Sequence, residues 1–316
     1  MCSSDLPALS LAFSLALVAC LAACLAAGCA VLAAGLVRGS TAVPAAWWAA
    51  AACLAFATES GGRALAAAAD PAGSARLRLV VLALAVCPAM SLLGAKRPQH
   101  GVWQLIVATL AVVLAMPALS AWLVRPGSLP DVHMLERSFL VLLALVGWMN
   151  FVGTRNGLSA TLVTAGMLAV MRPFWPWVET DAALPQDTID CLGACLVGLG
   201  ALLAAARAAV ASRRAAAHSP GATAGPARLI DPAFLALRET LGAAWALRIA
   251  ERFDAIATGR GWPCRLSFHG LDAGGDPLDQ SWHRDALRAF RALAHRFVTD
   301  GWLVRHGWQP EQGGDA

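Results

Sequence analysis

Short polar interruptions divide the first 211 residues into seven apolar runs, and this pattern constrains the fold more than any other feature of the chain. The runs are Leu9–Val37, Val43–Thr58, Leu77–Leu93, Val102–Val124, Ser138–Val152, Leu158–Met171 and Ile189–Ala211. They range from about 15 to almost 30 residues, and a helix needs roughly 20 apolar residues to cross a bilayer. Lipid offers no water to satisfy a backbone, so segments of this kind form helices. Composition agrees. The chain is 58% hydrophobic and 14% charged, against about 25% charged in a soluble domain, and the deficit lies before residue 211. The expected fold is an all-α polytopic membrane protein with about seven transmembrane helices, or six if Val43–Thr58 lies on the surface. The second run continues as a helix to Ala69, with Glu59 and Arg63 as a surface i,i+4 pair.

The first run is expected to be retained as a helix. A signal peptide wants a positive region before a short apolar core. "MCSSDLP" carries no Lys or Arg, and the apolar run continues past "LVAC" and "LAAC" to Val37. Orientation follows the Lys/Arg bias of short loops. With seven spans, Arg38, Lys96, Arg97, Arg155, Arg207, Arg213 and Arg214 share one side, and the "SRR" stop makes that side, with the C-terminus, cytoplasmic. "RPFWPWVET" follows the sixth run. Its Phe174, Trp175 and Trp177 suit the opposite interface, and Pro173 and Pro176 stop the helix.

The most polar stretch between two runs is "GWMNFVGTRNGLSAT", Gly147 to Thr161. An unbroken helix from Ser138 to Met171 would be about 50 Å long, against a hydrocarbon core of about 30 Å, so the chain breaks at Gly153 and Gly157. The first reading is a cytoplasmic turn with Arg155 facing headgroups. The second is a broken hairpin with its polar tip at depth, where such elements build substrate sites. In that reading Asn150, Thr154, Arg155 and Asn156 are the candidate substrate-path residues.

From Ser212 to Ala227 small residues, Pro and Gly dominate, which reads as a linker. This divides the chain into a transmembrane helical domain at 1–211, a linker at 212–227 and a soluble module at 228–316. The module is expected to be small and mainly α, with one short strand. Its first helix opens with Asp231 as N-cap and Pro232 at the first helical position and closes at Gly259 or Gly261. Phe234, Leu237, Leu241, Trp245, Ile249, Phe253 and Ile256 form one face of it. "CRLSFHG" alternates as a strand, a loop rich in Gly and Asp follows, and a second helix runs from Ser281 to Thr299. A module of about 85 residues buries a modest core, so Phe234, Trp245, Phe253, Trp282 and Phe290 are the candidate docking face. The basic stripe Arg284, Arg288, Arg291 and His295 lies opposite it.

Charge and motif content narrow the function. The net charge of +4 lies entirely before residue 228. The tail holds equal numbers of basic and acidic residues, which argues against nucleic acid as a partner. The nine cysteines read as small apolar residues rather than a disulfide framework. Cys20 and Cys24, like Cys191 and Cys195, have the spacing of a soft-metal site, but contacts between small residues on packed helices explain them as well. No metal, cofactor or catalytic residue is nominated. The runs carry no HExxH, P-loop or GxSxG motif, no His suited to haem and no intramembrane carboxylate pair, and an enzymatic role is disfavoured. "WALRIAERFDAIATGRGWPCRLSFHGL" (Trp245 to Leu271) together with "NFVGTR" (Asn150 to Arg155) resembles a family of bacterial polytopic membrane proteins that have a cytoplasmic C-terminal helical module and no assigned activity. The chain departs from that pattern at Asp254, where the family often has Asn, and at Phe151–Gly153, where it has Tyr-Leu-Pro. The resemblance implies a multi-pass protein of the bacterial cytoplasmic (inner) membrane. The expected partners are the lipid bilayer and a cytoplasmic protein docked by the tail, which gives a membrane-anchored interaction or assembly protein. The alternative is a permease or lipid-modifying protein using the Asn150–Asn156 hairpin.

Overall fold

The computed structural model describes residues 6–66, 71–94, 100–175, 184–217, 226–273 and 282–308. Lys96, Arg97, Trp177, Asp276 and Asp279 lie outside them. The described chain is mostly helical, with one two-stranded sheet.

The N-terminal part is a helical bundle of α1 (Leu6–Leu36), α2 (Val43–Ala66), α3 (Pro71–Ala85), α4 (Cys87–Leu93), α5 (His100–Leu123), α6 (Met134–Met149), α7 (Gly157–Met171) and α8 (Gln186–Ala217). Among the described residues five stretches are long and apolar enough to cross a membrane: Leu11–Leu36, Ala72–Leu93, Gly101–Leu123, Gly157–Phe174 and Gln186–Arg213. The stretch Ala72–Leu93 is interrupted at Val86, where α3 gives way to α4; Pro88 at the start of α4 has no N–H to continue the ladder. The helix α2 runs alongside α1. Its start packs with the C-terminal tail through Ala42 and Ala45, and its last turns meet the beginnings of α3 and α8. It thus runs from one end of the bundle to the other. The surface-pair expectation for Glu59 and Arg63 is corrected: the Glu59 side chain is fully buried and that of Arg63 is 20% exposed.

Close packing in the bundle rests on small residues. A Cβ added at Gly193 would fall 2.8 Å from the Gly166 carbonyl, and one at Gly200 would fall 2.9 Å from the Ser159 carbonyl, so α7 and α8 touch backbone to backbone. Gly198 meets Ala22 of α1 in the same way. Among the described residues no group of His, Cys, Asp and Glu is arranged to hold a metal, and the cysteines are free.

The tail comprises α9 (Pro226–Leu241), α10 (Ala243–Arg260), β1 (Cys264–Ser267), β2 (Gly270–Ala273), α11 (His283–Ala294) and α12 (Asp300–Arg305). Several sequence expectations are revised here. The single helix expected from Asp231 begins earlier, at Pro226, and is divided at Gly242, whose φ of 90° belongs to the left-handed region. The Gly/Asp-rich stretch contributes a second strand, with Cys264 opposite Ala273. The last expected helix ends at Ala294 and is followed by α12, whose N-cap Thr299 Oγ1 accepts from Trp302 N–H. Asp231 is not an N-cap: its carboxylate accepts from Leu271 N–H at 2.7 Å and fastens the hairpin to α9. Burial pushes the Asp231 carboxyl above its usual range, against the pull of that N–H.

Candidate functional site

Polar and charged groups gather at the two ends of the bundle. At the tail end, α6 stops at Met149 and the chain reverses through Asn150–Asn156, with Gly153 at φ 78°. Asn150 is buried and fills the break between α9 and α10. Its amide Nδ2 donates to the Leu241 carbonyl at 3.0 Å, its Oδ1 accepts from Ala244 N–H at 3.2 Å and its backbone carbonyl accepts from Ala243 N–H at 2.6 Å. One residue therefore supplies the groups that a broken helix would otherwise leave unpaired. A Cβ at 242 would lie 2.6 Å from the Asn150 carbonyl oxygen, so Gly242 is required by both its φ and this approach.

The rest of the turn is used in the same way. Asn156 Nδ2 donates to the Glu239 carbonyl at 3.0 Å, and its N–H donates to Glu239 Oε2 at 3.2 Å. The other Glu239 oxygen accepts from Arg238 Nη2 at 2.7 Å. Arg238 Nη1 donates to the Phe268 carbonyl, and its guanidinium sits 4.7 Å over the Phe268 ring. Thr154 Oγ1 donates to the Phe151 carbonyl within the turn. Arg155 is exposed, and its carbonyl accepts from the Arg207 guanidinium of α8. Of the four candidate path residues, then, Asn150 and Asn156 bond to the tail, Thr154 caps the turn and Arg155 faces outward.

Two further attachments flank this joint. The Trp245 indole N–H donates to the Leu92 carbonyl at the end of α4, at 2.7 Å. The α1–α2 loop pairs with the segment after α11: Thr41 N–H donates to the Phe297 carbonyl at 2.9 Å, Thr299 N–H donates to the Gly39 carbonyl at 2.8 Å, and Arg305 donates to the Arg38 carbonyl. Ala42, Ala45 and Leu92 belong to the same apolar cluster as Ile230, Phe234, Leu241, Phe253, Phe290 and Trp302. The proposed docking face is interior: Phe234, Phe253 and Phe290 are fully buried, and Trp245 and Trp282 nearly so. They form the tail's own core and its seat on the bundle.

The far end holds a buried ion cluster that sequence reasoning missed. Arg78 of α3 donates through Nη2 to Glu59 Oε1 of α2 at 2.8 Å and to Asp190 Oδ2 of α8 at 2.7 Å. Its Nη1 reaches Asp190 Oδ1 at 3.0 Å. Arg63 lies 3.0 Å from Glu59, 2.9 Å from Asp190 and 3.0 Å from Asp187. Gln186 Nε2 donates to Asp190 Oδ1, and Ser74 donates to Glu59 Oε1. The Arg78, Glu59 and Asp190 side chains are at most 6% exposed. Glu59 Oε2 is buried and has no hydrogen-bond partner among the described residues. Glu59 and Asp190 thus form the carboxylate pair that the sequence runs did not reveal. The signal was present in "TESGGR", where two charges interrupt a run that otherwise reads as apolar.

No family model, no curated protein and no solved structure matches the chain.

Proposed function

We propose that the chain is a multi-pass protein of the bacterial cytoplasmic membrane that crosses it seven times, keeps its C-terminus in the cytoplasm and serves as a membrane-anchored interaction or assembly protein. Five stretches with the length and composition of spans support the membrane reading. In this reading α2 and α6 supply the remaining two passes. The observation that carries the functional reading is the joint itself. Asn150, Leu92 and Thr41 come from three different loops or helix ends, and each fixes the tail by direct hydrogen bonds. A tail held at three points and sharing one apolar core with the bundle is a fixed platform. A partner meets its outer faces, because the aromatic set is already consumed. The permease or lipid-modifying alternative, built on Asn150–Asn156, is weaker because the tail takes up the polar groups of both asparagines.

The test places a photo-crosslinking residue at Val304 or at Ala255, both exposed on the tail, in the full-length protein within cells. A discrete adduct of fixed mass is expected, and Asn150→Ala should abolish it by releasing the platform. No adduct from either position, combined with solute passage through vesicles containing the purified protein, would contradict the reading.

A further inference from the structure

Two groups of basic residues in the tail differ in their surroundings. On α11, Arg288 lies 3.8 Å from Asp285, and Arg291 and His295 lie 2.8 and 2.9 Å from Asp300. That stripe is matched by the tail's own acids. Between α10 and the end of α11, Arg248, Arg252 and Arg296 line an open groove of about 200 Å³ whose walls include Trp245 and Phe297. Glu251 is the one carboxylate lining it. Among the described residues none of these three arginines takes part in an ion pair, so the groove carries two positive charges in excess. Arg248 is already oriented, its guanidinium 5.2 Å over the Trp245 ring.

The groove's position is fixed by the residues that build it. Trp245 is bonded to Leu92, one residue from the end of the span Ala72–Leu93. Phe297 is bonded to Thr41, in the loop that follows the span Leu11–Leu36. Two walls of the groove are therefore tied to the ends of spans, at the depth where headgroups lie in the proposed membrane reading. Leu247, next to Arg248 in the chain, is 48% exposed, an apolar side chain beside the cationic rim.

We propose that this groove binds the phosphate of an anionic phospholipid headgroup from the leaflet on the tail side, a proposal that rests on the membrane reading above. Guanidinium groups match phosphate oxygens in geometry and charge. Anionic lipids concentrate at the cytoplasmic surface, and each basic residue near it contributes a separable increment of attraction. The lipid links the platform to the bilayer at the edge where three loops already hold it.

The experiment uses the full-length chain purified in neutral detergent, with retained lipid counted by native mass spectrometry after addition of phosphatidylglycerol or phosphatidylcholine of identical acyl chains. Wild type is expected to prefer phosphatidylglycerol, and R248Q/R252Q/R296Q to lose that preference by on the order of a hundredfold, about fivefold per arginine. R284Q/R288Q is expected to bind as wild type does. The single exposed variant R252Q gives the same sign at about fivefold and serves if the triple variant melts differently from wild type. Equal retention of the two lipids by wild type, undiminished phosphatidylglycerol binding by the triple variant, or displacement of the lipid by inorganic phosphate alone would each overturn the proposal. The membrane reading is scored separately, by alkaline phosphatase and fluorescent-protein fusions at Ala316, so failure of one is not mistaken for failure of the other.

Discussion

The two ends of the bundle solve the same problem, fastening helices whose sides are nearly all apolar, with opposite chemistry. The tail end relies mainly on amides, backbone carbonyls and an apolar cluster shared with the tail, and its charged groups, Glu239, Arg207 and Arg305, bond to backbone there. The far end uses full charges, with Arg78 shared between Glu59 and Asp190 and with Arg63 bridging the same acids. Opening the tail end exposes the shared apolar cluster and unpairs the groups bonded by Asn150. A buried ion cluster is costly to break, because removing one partner leaves the others desolvated and unpaired. The far end is therefore a charged clasp of α2, α3 and α8, and the tail end is the seam that holds the tail as a platform.

The largest expected effect follows from breaking the clasp. Arg78→Gln removes the more buried of the two guanidinium groups shared by Glu59 and Asp190, leaving Arg63 alone between them, and is expected to cost about 3–5 kcal/mol, read as a lowered melting temperature of the detergent-solubilised chain. Adding Glu59→Gln and Asp190→Asn to that variant should recover most of the loss, since the deeply buried carboxylates are then neutral and the partly exposed Arg63 keeps Asp187 as its partner. A triple variant as unstable as the single one would show that the cluster does not act as a unit.

At the other end Asn150→Ala orphans the Leu241 carbonyl and the Ala244 N–H, at about 1–3 kcal/mol for each group that stays buried. Gly242→Ala adds a Cβ against Asn150 and strains a left-handed backbone. Both substitutions should loosen the tail and leave the bundle's own unfolding unchanged, which separates the two ends by measurement. Controlled proteolysis at the α9–α10 junction is the readout, and unchanged resistance in either variant counts against the joint.

Arg238→Gln tests a smaller element. It removes the bond to the Phe268 carbonyl and the partner of Glu239. A loss of about 1–3 kcal/mol is expected, in the range for hydrogen bonds to charged groups, seen as lower denaturant resistance of the tail signal alone.

The smallest effect concerns pH. Burial holds the His306 imidazole below its usual value of 6.5; Arg305 adds to this, while the Trp302 carbonyl works against it. The folded tail thus favours the neutral ring. Its contribution is complete above the unfolded value and is lost as pH falls through the lower folded one. Asp300 acts in the same direction at lower pH. Desolvation opposes its charge, but Arg291 and His295 outweigh that and hold it below the ordinary carboxylate value. Tail unfolding should become easier between about pH 7 and pH 5, and His306→Gln should flatten that slope.

Much of this was legible in the sequence because it depends on local periodicity. The apolar runs became the bundle helices. The recurrence of Phe234, Leu237, Leu241, Trp245, Ile249 and Phe253 became the buried face of α9 and α10, and the alternation at Cys264–Ser267 became β1. The misses share a cause in distance. Nothing near Gly242 announces a break, since "LGAAW" reads as helix with one weak position. The partner that makes the break stable, Asn150, lies 91 residues from Leu241 and 94 from Ala244. Arg78 and Asp190 are 112 residues apart, so Glu59 looked like half of a surface pair. Phe290 and Trp245 were read correctly as one-sided, but periodicity cannot say whether a face meets a partner or its own chain.

The tail is seated on the bundle through Asn150 and the flanking attachments. Amide hydrogen exchange of the full-length chain tests it most directly, at Thr41, Ala243, Ala244 and Thr299, whose N–H groups are bonded across the seam. These amides are predicted to be protected in wild type and to lose protection together in Asn150→Ala, while Phe253 in the interior of α10 stays protected. Exchange of Thr41 and Thr299 in wild type at the rate of an open loop would contradict the account.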